Sequence, residues 1–199
     1  MWIVIGLFLV CALLVLPGVS RRRTGPRHLF VGTGRHWRVN YGRRNLLKLG
    51  AALGGAAVLA YSGIDEAVDA FLRRHVRGDL SDGLRRVVNP WGERWWFFNW
   101  ALLAAVDAWV RTNGLTRWGR RNFEAMVVGL PTLWTVQRGL GANRPSSENG
   151  SPRWRPLAAD NSASGHAFVA AVPFLNLAAA TDHRAGRAGA RFASTLTGW

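Results

Sequence analysis

Cysteine is almost missing from this chain of 199 residues. Cys11 stands alone, so no intrachain disulfide can form and the redox compartment stays open. It lies inside an apolar run, where it serves as a small apolar residue. Lysine is as scarce: Lys48 is the only one, so 25 of the 26 basic residues are arginine. Acids are few, 11 against those 26, for a net charge of +15. Such a balance first suggests nucleic-acid binding. The arginines, however, are separated by long uncharged runs, whereas a soluble basic domain interleaves charge along every helix. No stretch alternates apolar and polar residues long enough for a strand, and no internal repeat is present. These absences leave an all-α reading without a nucleic-acid partner.

What is present is apolar and segmented. Many of the 11 tryptophans flank apolar runs, a signature of the membrane–water interface. The mean hydropathy of +0.02 is low for a polytopic membrane protein, and dense arginine loops between short apolar segments produce such an average. Trp2 to Val19 is nearly unbroken and is followed by Arg21-Arg22-Arg23. Its charge follows the apolar core, so it reads as a retained anchor rather than a cleaved signal peptide. Residues 20–46 form a basic linker with eight arginines. Gly42-Arg43-Arg44-Asn45-Leu46-Leu47-Lys48 resembles a twin-arginine export signal. Another apolar segment precedes it, which favours a second membrane helix with a basic flank running to Gly63.

In 64–94, Ile64, Val68, Phe71 and Leu72, then Leu80 and Leu84, fall at helical spacing. This predicts an amphipathic helix or helix pair lying on a surface, broken by Asn89-Pro90-Trp91-Gly92. Further apolar segments are 95–110, 123–136, 167–181 and 188–199; Pro131 and Pro173 lie inside two of them, which membrane helices tolerate. The expected fold is an all-α polytopic membrane bundle of about six segments. Residues 1–46 form its anchor and linker, and 47–199 its helical membrane domain.

Charge placement fits one topology. With the amino terminus outside, loops 20–46, 111–122 and 182–191 lie inside and hold fifteen arginines and one acid. Loops 64–94 and 138–162 lie outside and hold ten arginines and eight acids. All 25 arginines fall in loops, as expected when an arginine at the membrane centre costs about 2.5–3.5 kcal/mol. Asp107 and Glu124 fall inside segments, near inner ends where snorkelling to water suits a structural role.

Two polar clusters then share the outer face. Arg144-Pro145 ends one apolar segment and Ser164-Gly165-His166 opens another, with a loop rich in Ser, Asn, Pro and Gly between them. Ser162 or Ser164 can cap the helix that starts near His166. A helix amino terminus offers N–H groups and partial positive charge to an anion. Arg144 adds two-point recognition of phosphate oxygens, and the His166 imidazole can protonate a departing alkoxide.

The pattern resembles the type 2 phosphatidic acid phosphatase superfamily, whose motifs run Lys-x6-Arg-Pro, Pro-Ser-Gly-His and Ser-Arg-x5-His-x3-Asp. Gln137 to Pro145 has the spacing of the first, and Ala163 to His166 aligns with the second. The likeness covers about residues 64–199. Gln137 stands where the family has lysine, with Arg138 beside it as a substitute cation; Ala163 replaces a proline; the third motif is absent. The resemblance implies a metal-free and cofactor-free phosphatase acting on a phosphate or diphosphate monoester of a lipid, at the outer face of an inner membrane of bacterial type. It implies phosphate binding by Arg144, Ser164, Gly165, Arg138 and Gln137, and leaving-group protonation by His166. In the family the third motif supplies the nucleophilic histidine. The chain is therefore expected to be an inactive fragment, because His183 would sit roughly 22–25 Å below His166 along a helix. A non-catalytic anion-binding or scaffold membrane protein is the competing expectation.

Overall fold

Helix formers and 3.6-residue periodicity dominate the described stretches, and helices follow. The computed structural model describes residues 19–20, 29–30, 32–142, 153–158, 162–180, 188 and 191. Residues 2–18 of the first apolar segment, Arg144-Pro145, His183 and residues 192–199 lie outside that set. Seven α-helices are described: α1 (Thr33–Asn40), α2 (Arg43–Ser62), α3 (Ile64–His75), α4 (Asp79–Val88), α5 (Trp95–Trp109), α6 (Gly114–Leu140) and α7 (Gly165–Ala180). The all-α expectation holds. The only strands among the described residues, β1 (Val19–Ser20) and β2 (Arg111–Thr112), form a two-residue antiparallel pair, with Val19 opposite Thr112. No single described helix is long and apolar enough to cross a membrane.

The chain divides into two compact units. One comprises Met1–His36, Trp91–Val127 and His166–Trp199, the other Trp37–Pro90 and Val128–Gly165.

The first unit is built on α5, which is apolar on every side and buries Trp96, Trp100, Leu103, Ala104, Asp107 and Ala108. Its tryptophans stack in series: Trp91 lies 5.0 Å from Trp96 and Trp96 lies 5.3 Å from Trp100, while Trp100 meets Trp118 edge-on at 4.9 Å. Of these four rings Trp96 and Trp100 are buried, so the interface reading of tryptophan does not extend to them. The Trp118 indole N–H donates to the Pro173 carbonyl in α7 over 3.0 Å.

Three expectations need correction here. The stretch 111–122 is not a loop beyond Asn113; it is the first part of α6. Asn113 caps that helix: its Oδ1 accepts from the Thr116 N–H at 2.9 Å, and the Thr116 Oγ1 accepts from the Asn113 N–H at 2.8 Å. This reciprocal pair satisfies two amino-terminal donors of the helix. It places Arg117, Arg120 and Arg121 on a helix, so the arginines are not confined to loops. Nor do Asp107 and Glu124 snorkel, being 1% and 2% exposed. Arg120 bridges them, with Nε 2.9 Å from Asp107 Oδ2 and Nη1 2.9 Å from Glu124 Oε1. The Thr116 hydroxyl donates to Asp107 Oδ1 at 2.9 Å, and His36 Nδ1 lies 3.5 Å from Glu124 Oε2. Buried carboxylates are tolerated when paired and hydrogen-bonded in this way.

The second unit holds α2, α3 and α4. The expected amphipathic helix pair is α3 and α4. In this unit Tyr41 bonds the Val128 carbonyl and the Thr132 hydroxyl of α6, and Tyr61 meets Trp154 edge-on at 6.2 Å.

Candidate functional site

The carboxyl end of α6 and the loop ahead of α7 belong to the second unit, and the chain ties them together there. A helix end leaves its last carbonyls without intrahelical partners. At α6 the following loop supplies them. The Gly141 N–H donates to the Gln137 carbonyl at 3.0 Å, and the Leu157 N–H to the Arg138 carbonyl at 2.8 Å. The Ser162 hydroxyl lies 2.8 Å from the Gln137 carbonyl and 3.1 Å from that of Val136. Ser162 thus serves the end of α6 and is not the amino-terminal cap of α7, which begins at Gly165.

Gly141 turns the chain out of α6 at φ +62, and a Cβ there would collide with the Arg155 carbonyl oxygen. Only glycine meets both demands at that position. Leu157 also takes a positive φ, +66, which leaves its N–H aimed at α6.

Against this frame the sequence-derived residues take their places. Gln137 Nε2 donates to the Ala163 carbonyl over 2.7 Å, so the first residue of one motif grips the first residue of the other. Gln137 and Arg138 are consecutive at the end of α6; Ser164 and Gly165 follow Ala163 directly, and Gly165 opens α7. The Arg138 side chain is exposed, as is Ser164. Gln137 is neutral and one of its amide hydrogens is committed to Ala163. It therefore ties the end of α6 to the loop ahead of α7. Arg144 lies outside the described residues.

His166 belongs to the first unit and is set by residues that no sequence spacing pointed to. The chain at Gly92 approaches it so closely that a Cβ on Gly92 would lie 2.7 Å from His166 Cβ and 2.8 Å from its carbonyl oxygen. Glu93 Oε1 stands 3.7 Å from His166 Nε2, beyond a hydrogen bond but close enough for an ion pair when the ring is protonated. The ring is half exposed, so a reactant can reach it. The Asn89-Pro90-Trp91-Gly92 break was legible as a break; that it seats a histidine 74 residues later was not.

The first unit offers a half-exposed imidazole at His166; the second offers Ser164 and Gly165, which follow residues tied to the end of α6. No group of three or more metal-ligating side chains occurs among the described residues. Comparison of the chain with family models, curated proteins and solved structures returned no match.

Proposed function

We propose that the chain is a helical membrane protein of the phosphatidic acid phosphatase kind, built to hold the phosphate of a lipid monoester or diphosphate. The observation that carries this reading is the 2.7 Å bond from Gln137 to the Ala163 carbonyl. It supports the reading because it joins the starts of two motifs that lie 26 residues apart in sequence. In this reading Arg144 grips phosphate oxygens bidentately, and Arg138 adds a second positive charge. The Ser164 hydroxyl and the N–H groups at the start of α7 bind the remaining oxygens. Water attacks phosphorus in line as the ester P–O bond breaks; His166 gives its proton to the departing alkoxide, so the lipid leaves as a neutral alcohol, and a proton of the attacking water returns to the imidazole. Glu93 is a positioning residue that holds the imidazole. Electrostatic grip and alignment account for most of the catalysis in phosphoryl transfer. The nucleophilic histidine of the resemblance has no counterpart in residues 1–199.

A second reading is favoured by one observation: the lysine position holds a neutral Gln137 already engaged with Ala163. In that case the site binds an anion without turning it over. Phosphate release from a lipid phosphate, by the protein and by its His166→Ala variant, separates the two. The phosphatase reading expects release that collapses in the variant. Equal release by both removes His166 from the mechanism, and binding with no release supports the anion-binding alternative.

A further inference from the structure

A helix in a water-soluble unit turns its apolar stripe inward. α3 and α4 do not: neither has a single buried residue, although both are strongly one-sided. Ile64, Val68, Phe71 and Leu72 share one face of α3, and all are exposed. Leu80, Leu84 and Val87 share one face of α4 and are 81%, 58% and 69% exposed. The opposite face of α4 carries Asp82, Arg85 and Arg86. A contiguous apolar surface of this kind marks a contact with something else.

The preceding helix says what that is. α2 is 20 residues long and buries only Ala60. Leu46, Leu47, Val58, Leu59 and Tyr61 are exposed at positions spread round more than half its circumference. A protein partner covers one side of a helix; acyl chains cover all of them. α2 and α3 together are long and apolar enough for a membrane segment, but they bend by 74° at their junction. Gly63 makes the bend, in the left-handed conformation at φ +78. A helix apolar around its girth thus turns nearly at right angles into one apolar on a single face, which is how a chain leaves a hydrocarbon layer and runs along its surface.

We infer that α3 and α4 lie in the headgroup plane of a bilayer, with Val68, Phe71, Leu80, Leu84 and Val87 toward the acyl chains. Residues 64–88 hold five arginines and five acids. The docking is therefore driven by apolar insertion and not by attraction to anionic lipid. This inference rests on the membrane setting proposed above and is independent of the phosphate chemistry.

The test uses single cysteines in a Cys11→Ser background: Val68→Cys and Leu84→Cys on the apolar faces, Glu66→Cys and Asp82→Cys on the polar ones. Each is labelled with an environment-sensitive fluorophore. The protein is reconstituted into phosphatidylcholine vesicles, with and without phosphatidylglycerol. Labels at 68 and 84 are expected to shift to the blue and to be quenched by nitroxide lipids several-fold more than those at 66 and 82, in both vesicle types. Equal emission from the two faces overturns the inference. So does a blue shift that needs anionic lipid, or one that appears without lipid and grows with protein concentration, the mark of a second copy. If the protein does not float with vesicles, the membrane setting fails as well; if it floats and all labels stay wet, this inference alone fails.

Discussion

The same chain treats charge and apolar surface in opposite ways in two places. Around α5 and the first part of α6, two carboxylates are sealed from water and bridged by Arg120. On α3 and α4 the acids and arginines face outward, Arg73 pairs with Asp69 four residues away, and leucines are left exposed. Both regions contain arginine, acid and leucine, so the presence of these residue types alone does not decide which are buried. Partnership does. Asp107 and Glu124 are tolerated in the interior because α6 brings a guanidinium between them, whereas no described residue covers Leu80.

The largest effect is expected from Arg120→Ala, which strands two buried carboxylates. Removing one member of such a group costs about 3 kcal/mol, at the lower end of the range because Arg120 is partly exposed. A denaturant titration followed by tryptophan fluorescence reads it, and a loss below about 1 kcal/mol would mean the cluster is not buried in the folded protein. Next come matched leucines. Leu103→Ala, at 1% exposure, is expected to cost about 3 kcal/mol. Leu84→Ala is expected to change stability by less than about 0.5 kcal/mol in detergent. Similar costs at both sites would erase the contrast between the units. The smallest effect belongs to Arg73→Ala, about 0.3 kcal/mol, because its pair with Asp69 is solvated.

The amphipathic pair 64–88 and the apolar α5 were plain in the sequence, because periodicity and length encode them directly. The beginning of α6 was not. Arg117, Arg120 and Arg121 look like a loop until Asn113 is recognised as a cap, and the Asn-Gly-Leu-Thr signal for it was present. The fate of Asp107 was not legible either, since its partner lies thirteen residues away on another helix. At the candidate site, spacing identified Gln137 and the 163–166 segment. It could not show that Gln137 bonds the Ala163 carbonyl, nor that Gly92 and Glu93 pack against His166. Contacts between segments far apart in sequence leave no local periodicity.

The proposed function requires these loops to grip a phosphoryl group. It is tested most directly by titrating the protein with inorganic phosphate while following the His166 ring by nitrogen NMR, in the natural protein and in Arg144→Ala. The account predicts a saturable shift of the His166 resonance and affinity about tenfold weaker in the variant, the loss expected for one charge-assisted pair. A resonance that does not move, or one that saturates at the same phosphate concentration in both proteins, would contradict it.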